Sequence, residues 1–216
     1  MAFARLLRST QRYLERVREP IPTFEQRLFD FSTPASLARW ATFSDTELGG
    51  RSTASLIAST SHPGTAVFQG TFSRETGADA DERLKRSGFV GMNTRDTQDR
   101  LDLDQYDTMV LRVLGDGRRY IASIRTENWI IGEASSHDVY QAFLFAREGE
   151  WTEVEIPLAR FLLTYKGRLV ETHVQMNRSR IVSFGLALAA GDYQQEGPYS
   201  LGLDWIKVID SRRLDR

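Results

Sequence analysis

Residues 108–126 read TMVLRVLGDGRRYIASIRT, a pattern that recurs along most of the chain. Apolar and β-branched residues fill 108–114 and 120–126, and the turn-forming pair Asp116-Gly117 lies between them. Asp-Gly favours a two-residue hairpin because that turn needs positive φ angles, whereas a glycine-rich phosphate loop leads into a helix. We therefore predict two strands joined as a hairpin, and no phosphate site.

Short apolar runs between clusters of Gly, Asp, Asn, Ser and Pro continue in both directions from this stretch. The further predicted strands are residues 27–31, 52–57, 66–71, 88–93, 139–145, 151–157, 181–187 and 199–209. About ten short strands with almost no helix between them predict an all-β fold, an antiparallel jelly-roll β-sandwich.

One short interior helix is predicted at residues 33–40, because Thr33 suits the N-cap and Pro34 the first helical position. The predicted buried side chains are large residues in strands or beside turns. They are Trp151, Ile156, Phe161, Phe184, Leu186, Trp205 and Ile206.

The composition excludes several classes of protein. Of 216 residues, 41% are hydrophobic and 11% aromatic, which excludes an intrinsically disordered chain. The absence of cysteine excludes disulfides, iron–sulfur clusters and a cysteine nucleophile, and the three scattered histidines argue against a metal site. A net charge of −1 does not favour nucleic-acid binding. We expect no cofactor, no metal and no enzymatic activity, since no nucleophile motif such as Gly-x-Ser-x-Gly occurs.

The first twenty residues, MAFARLLRSTQRYLERVREP, form a separate segment with a helical period. Arg5, Arg8 and Arg12 fall on one face of this helix, and apolar side chains fall on the opposite face. A basic amphipathic N-terminus is typical of mitochondrial targeting, although Glu15 and Glu19 are unusual there. The alternatives are a retained docking helix or an ordinary surface helix. We predict a helix with a proline linker at 1–22, followed by the β-sandwich domain at 23–216.

A loop at residues 44–52 combines acidic side chains, glycines and serines. Asp45 and its neighbours could bind calcium, but the loop lacks the EF-hand spacing. The favoured interpretation is a tight loop in which Asp and Ser side chains bind nearby backbone N–H groups. Asp45 and Arg51 are candidate contacts for a partner protein.

A second cluster lies where one predicted strand ends and the next begins. Strand alternation places Arg125 and Glu127 on one face, and Asn128, Trp129 and Gln141 lie close by in the sequence. An arginine, a carboxylate, two amides and an indole would suit a sugar- or peptide-binding surface. A cross-strand salt bridge beside a surface tryptophan explains the same residues equally well.

The ordered set of motifs along residues 28–208 resembles the NADH:ubiquinone oxidoreductase intermediate-associated protein 30 family, which assembles respiratory complex I. The matching motifs are Phe43-Ser44-Asp45, Gly49-Gly50-Arg51-Ser52, Phe68-x-Gly70, Ser87-Gly88-Phe89, residues 103–106, residues 111–120, Arg125-Thr126-Glu127-Asn128, Tyr140-Gln141-Ala142-Phe143, residues 150–157, Gly167-Arg168, residues 181–185, residues 197–201 and Asp204-Trp205-Ile206. No single motif is specific, but their order along the chain is. The stretch 125–129 looks most like plant and algal members.

The resemblance implies a galactose-binding-like jelly roll without catalytic residues. It implies a chaperone for assembly, or a retained accessory subunit, that binds membrane-arm intermediates of complex I and other assembly factors. The expected location is the mitochondrial matrix, peripheral to the inner membrane, with contact to that membrane surface. The alternative function is a carbohydrate-binding module, since similar jelly rolls bind glycans.

Overall fold

The computed structural model describes residues 24–78, 80–81, 84, 87–95, 100–127, 130, 138–172, 174–191 and 194–214. The predicted N-terminal helix and linker, residues 1–22, lie outside this part of the chain, as do the candidate residues Asn128 and Trp129. Among the described residues, no helix is long and apolar enough to cross a bilayer.

Two antiparallel sheets make up the described fold, with strands numbered in chain order. The six-stranded sheet contains β1 (Glu25–Asp30), β3 (Thr53–Ala58), β4 (Ala66–Phe72), β6 (Thr108–Leu114), β9 (Trp151–Pro157) and β13 (Gly197–Ile209). Its strand order is β3-β4-β13-β6-β9, and β1 pairs with the second half of β13.

The seven-stranded sheet has the order β11-β10-β8-β7-β12-β5-β2. Its strands are β2 (Trp40–Ser44), β5 (Phe89–Thr94), β7 (Arg119–Thr126), β8 (Asp138–Phe145), β10 (Leu162–Tyr165), β11 (Arg168–Leu169) and β12 (Ile181–Ala189). The described helices are α1 (Pro34–Leu37), α2 (Ser211–Leu214) and the 3-10 turns Asp45–Leu48, Leu158–Arg160 and Arg178–Arg180.

The hydrophobic core lies between the two sheets and takes alternate residues from most strands. β7 shows the alternation, because Tyr120, Ala122, Ile124 and Thr126 are buried and the residues between them are partly exposed. The largest fully buried side chains include Phe31, Phe68, Phe72, Met92, Tyr106 and Tyr120. The predicted all-β sandwich is therefore confirmed.

The predicted helix at 33–40 is shorter than expected, although its start is confirmed. Thr33 caps α1 through its side chain and Pro34 begins it, but Trp40 belongs to β2. Trp40 is buried and packs edge-to-face on Phe29, with ring centroids 5.0 Å apart. Because of this contact, residue 40 begins strand β2 and does not extend the helix. The sequence pattern did not predict β2, β10 or β11.

The predicted hairpin around Asp116-Gly117 is wrong. The turn exists, with Gly117 at φ 78°, but β6 and β7 belong to different sheets. The Asp116 carboxylate accepts hydrogen bonds from the Tyr120 hydroxyl (3.0 Å) and from the backbone N–H of Ser200 in β13 (2.8 Å). The turn is thereby held to the six-stranded sheet while the chain crosses to the other.

Six of the seven predicted core side chains are buried, from Ile156 to Ile206. The exception is Trp151, which is only partly buried. Its indole lies over Gly202, where an added Cβ would come within 3.2 Å of the ring. Trp151 therefore covers a strand that has no side chain at that point, instead of entering the core.

Candidate partner-binding surface

Asp45 is fully buried, so it cannot be the partner contact that the sequence suggested. Its carboxylate accepts hydrogen bonds from the N–H groups of Ser52 (2.8 Å), Gly88 (2.5 Å) and Phe89 (3.3 Å), and from the Ser52 hydroxyl (3.0 Å). The favoured interpretation of this loop as a tight, backbone-binding turn is confirmed. Among the described residues, no group of three or more His, Asp or Glu side chains could hold a metal ion.

Arg51 lies on the surface near this loop, where its guanidinium pairs with Glu75 at 3.2 Å. Both side chains are more than half exposed, so the pair is screened by solvent and contributes little to stability. Arg51 is accessible to a partner.

Glu127 forms an ion-pair cluster with two arginines that the sequence pattern did not connect to it. Its carboxylate accepts hydrogen bonds from Arg180 (2.6 and 2.9 Å) and from Arg100 Nε (3.0 Å). These bonds, first from Arg180 and then from Arg100, hold the pKa of Glu127 below its usual range. The cluster ties the end of β7 to the start of β12, so the salt-bridge interpretation holds for Glu127, with partners other than Arg125.

Arg125 lies on the outer face of the seven-stranded sheet, opposite Ser183 of β12 in the pairing register. It makes no ion pair with any described residue. Ser183 is only 2% exposed, and its hydroxyl has no hydrogen-bond partner among the residues described. Buried polar groups normally have such partners, but the Ser183 hydroxyl is closed off from solvent, so only the half-buried Arg125 of this pair can offer hydrogen bonds to a partner.

A row of polar side chains crosses the same face beside Arg125. In register across β8, β7, β12 and β5 lie Gln141, Ser123, Gly185 and Asn93. A Cβ at Gly185 would overlap Asn93 Oδ1 and lie 2.5 Å from Ser123 Oγ. The absence of a side chain at Gly185 therefore brings an amide and a hydroxyl together over the bare backbone of β12.

An apolar row lies next to the polar one. In register across β8, β7, β12, β5 and β2 lie Phe143, Ile121, Ala187, Gly91 and Phe43. Phe143 is 61% exposed, and the ring of Phe43 covers Gly91.

A second phenylalanine extends the apolar row along β8. Phe145 is 60% exposed, and its ring centroid lies 6.0 Å from that of Phe143. Exposed aromatic side chains grouped on one face mark an interaction surface.

We use the name outer face for Arg125, the polar row, the apolar row and Phe145 of the seven-stranded sheet. Of the predicted contacts, Arg125 and Gln141 belong to the outer face, whereas Glu127 belongs to the ion-pair cluster at its edge. Sequence reasoning missed Phe143 and Phe145. The sequence did contain a signal, the alternation of residues 139–145. Tyr140, Ala142 and Leu144 point into the core, so Phe143 and Phe145 must point outward.

Comparison with known proteins gives a consistent family signal. The sequence model described as "Complex I intermediate-associated protein 30 (CIA30)" matches residues 29–203. The chain is 30% identical over 187 residues to a Drosophila melanogaster protein named complex I intermediate-associated protein 30, mitochondrial, covering 83% of this chain and 61% of that protein. A Mus musculus protein of the same name is 31% identical over 189 residues, covering 84% and 55%. The chain thus spans little more than half the length of these relatives.

Solved structures show the same sandwich in proteins of distant sequence. A family 11 carbohydrate-binding module of a cellulosomal cellulase from Clostridium thermocellum has a TM-score of 0.60 at 15% identity, covering 88% of this chain and 96% of the module. A family 30 carbohydrate-binding module from that cellulosome has a TM-score of 0.54 at 12% identity, covering 87% and 98%. At these identities the likeness shows the fold alone.

Proposed function

The chain belongs to the complex I intermediate-associated protein 30 family, and from that premise we propose that it assists the assembly of mitochondrial respiratory complex I. It acts by binding, without catalysis, and its partners are membrane-arm intermediates and other assembly factors. Its place is the matrix side of the inner membrane. The family match spans 29–203, which includes every strand that forms the outer face.

The observation that carries this proposal is the combination of exposed phenylalanines and an arginine without an ion pair to any described residue on the outer face. Phe143 and Phe145 supply apolar area, and the half-buried guanidinium of Arg125, which forms no ion pair with a described residue, supplies directional hydrogen bonds. Protein interfaces characteristically place aromatic and arginine side chains at their centre. The two carboxylates singled out in the sequence already have partners within the fold. Asp45 accepts hydrogen bonds from backbone N–H groups, and Glu127 pairs with arginines. This supports binding over acid–base catalysis by these groups.

The N-terminal segment, residues 1–22, serves as a targeting signal and as a second contact through Arg5, Arg8 and Arg12, while residues 23–216 form the binding domain. The experiment deletes residues 1–19 and supplies a foreign cleavable presequence. Loss of association with complex I intermediates despite import would support docking. Full association would show that the segment is a targeting signal only.

The test of the outer face uses tagged protein expressed in mitochondria and isolated in mild detergent, with native gels and mass spectrometry as the readout. The variant Phe143→Asp/Phe145→Asp places two charges on the outer face. The matched control is Ile57→Asp, an exposed apolar side chain of the other sheet. We expect wild type and control to co-migrate with complex I intermediates, and the double variant to lose about tenfold or more of that association.

Two outcomes would contradict the proposal. Association of the double variant at the wild-type level would rule out the outer face as the binding surface. Failure of the wild type to recover any complex I subunit would rule out the role in assembly. Binding of wild type to a glycan array would favour the carbohydrate-binding alternative instead.

A further inference from the structure

Three apolar side chains pack together on the outward side of the six-stranded sheet, separate from the core between the sheets. They are Val110 of β6 with Trp205 and Ile209 of β13, and we call them the Trp205 cluster. Strand neighbours that alternate with them, such as Leu111 and Val208, belong to the core. The cluster residues are nevertheless only 2%, 8% and 4% exposed, on a side of the sheet that no second sheet covers.

Outward apolar side chains elsewhere on the same sheet are accessible. Ile57 of β3 is 46% exposed, and its outward neighbours Val67 of β4 and Leu114 of β6 are partly exposed. The change along β6 is sharp, because Val110 lies only four residues before Leu114 on the same side of the strand. Some further group therefore covers the half of the sheet that contains the Trp205 cluster.

The charged side chains around the cluster do not account for the burial of Val110. Beside it in register lie Lys207 of β13 and Glu155 of β9. The Lys207 ammonium lies 2.9 Å from the Glu25 carboxylate of β1 and 5.0 Å from the centroid of the Trp205 ring. The lysine side chain thus leans toward β1 and away from β6, and Glu155 is exposed. The burial of Val110 requires another segment of protein.

The N-terminal segment joins the sheet directly beside this cluster. The C=O of Phe24 accepts a hydrogen bond from the N–H of Asp210 (2.8 Å), and Glu25 pairs with Ile209 of the cluster. Residues 20–23, Pro-Ile-Pro-Thr, separate the predicted helix from Phe24 and span about 12 Å when extended. The distance from β1 to β6 is two strand spacings, about 10 Å, so residues 1–19 can reach Val110.

The predicted helix has the chemistry that this cover needs. Its apolar face consists of Phe3, Leu6, Leu7, Tyr13, Leu14 and Val17. A helix of this length spans about 28 Å, whereas the four strands from β1 to β9 span about 14 Å. Residues 1–19 contain five arginines and two glutamates, and the β9 edge carries the exposed carboxylates of Glu153 and Glu155. Glu153 shares Arg112 at 3.7 Å, whereas Glu155 forms no ion pair with a described residue.

We propose that residues 1–19 remain part of the folded protein as an α-helix whose apolar face packs on the Trp205 cluster. The helix covers the outward side of β1, β13 and β6, and arginines at its flank meet the carboxylates of β9. Arg5, Arg8 and Arg12 lie on the opposite face of the helix, so this packing directs them away from the sheet, toward a partner. The proposal concerns the chain by itself and does not depend on its role in the assembly of complex I.

The experiment measures how fast a single introduced thiol of the purified full chain reacts with dithionitrobenzoate. The chain has no cysteine, so each variant carries one reporter. Val110→Cys places the thiol in the Trp205 cluster, and Ile57→Cys, on the same side of the sheet, is the exposed reference. We expect the thiol at position 110 to react about tenfold or more slowly than the thiol at position 57.

Changes in the N-terminal segment then identify the cover. Leu6→Asp/Leu14→Asp places two charges on the apolar face of the helix, and we expect it to speed the reaction of Val110→Cys about tenfold or more. Deletion of residues 1–19 should have the same effect. Arg8→Ser/Arg12→Ser changes the opposite face of the helix and is the matched control, which should leave the rate unchanged.

Three results would overturn the proposal. Equal protection of Val110→Cys with and without Leu6→Asp/Leu14→Asp would show that the strands bury this position by themselves. Protection that is lost on dilution of the full chain would assign the cover to a second copy. Rapid reaction in the purified chain, with protection only in complex I intermediates, would assign it to a partner protein. If circular dichroism shows that Val110→Cys does not fold, Thr108→Cys, 6% exposed on the same side, replaces it as the reporter.

Discussion

The carboxylate of Asp45 accepts a hydrogen bond of 2.5 Å from the backbone N–H of Gly88, 43 residues further along the chain. The same carboxylate binds the N–H of Ser52, so one buried side chain holds the loop after β2 against the start of β5. Gly50 allows this approach, because a Cβ there would overlap the carboxyl group of Asp45.

Asp45→Ala should therefore destabilise the fold strongly. The substitution leaves backbone N–H groups of Ser52, Gly88 and Phe89 without their acceptor in a buried position. We expect a loss of about 2–5 kcal/mol in the free energy of unfolding, measured by urea denaturation. Glu47→Ala, an exposed neighbour in the same 3-10 turn, is the control and should change stability by less than about 0.5 kcal/mol. Equal stability of Asp45→Ala and wild type would show that these hydrogen bonds are dispensable.

The two tryptophans of the six-stranded sheet should differ in their contribution to stability. Trp205 is buried in a small cluster with Val110 and Ile209, whereas Trp151 is partly exposed over Gly202. Trp205→Ala should cost about 3–5 kcal/mol, and Trp151→Ala clearly less. Thermal unfolding of both variants checks this order, and a wild-type melting temperature for Trp205→Ala would contradict it.

The ion-pair cluster of Glu127 should make a stability contribution that depends on pH. The folded-state pKa of Glu127 is lowered by Arg180 and Arg100, so folding favours the ionised carboxylate. Its contribution is fully present above the unfolded pKa of about 4.3 and is lost as the pH falls through the lower folded pKa.

Comparison of wild type with Glu127→Gln by urea denaturation at several pH values checks this sign. The wild type should be the more stable at pH 7, and the difference should shrink as the pH falls below about 4.3. A difference that stays constant across this range, or grows toward low pH, would show that the carboxylate charge is not responsible.

The exposed phenylalanines of the outer face should contribute little to folding. Phe143 and Phe145 lie outside the core, so Phe143→Ser/Phe145→Ser should unfold within about 1 kcal/mol of wild type. Leu144→Ser, the buried residue between them, should by contrast cost several times more. These denaturation curves show whether the loss of partners expected for outer-face variants comes from the surface or from unfolding. A large loss of stability in the phenylalanine variant would assign those side chains to the fold.

Local patterns in the sequence were sufficient for the fold class and for much of the strand layout. Strands β6 and β9 were predicted with the bounds that the structure shows, since alternating apolar residues and flanking glycines are local signals. The same alternation put Arg125 on the face of β7 opposite to Tyr120 and Ile124, and the order of motifs identified the family.

Three-dimensional contacts decided the pairings. Asp116-Gly117 specifies a tight turn wherever it occurs, but the strands that follow it pair according to which apolar faces can be buried together, and that choice rests on distant residues such as Ser200. Glu127 pairs with Arg180, 53 residues away, and Asp45 binds the N–H of Gly88, 43 residues away. Trp40 belongs to β2, not to the predicted helix, and packs on Phe29. The chemistry of Asp45, Glu127 and Trp40 determined that each needs a hydrogen-bonding, charged or apolar partner. The packing of the two sheets determined which residues those partners are.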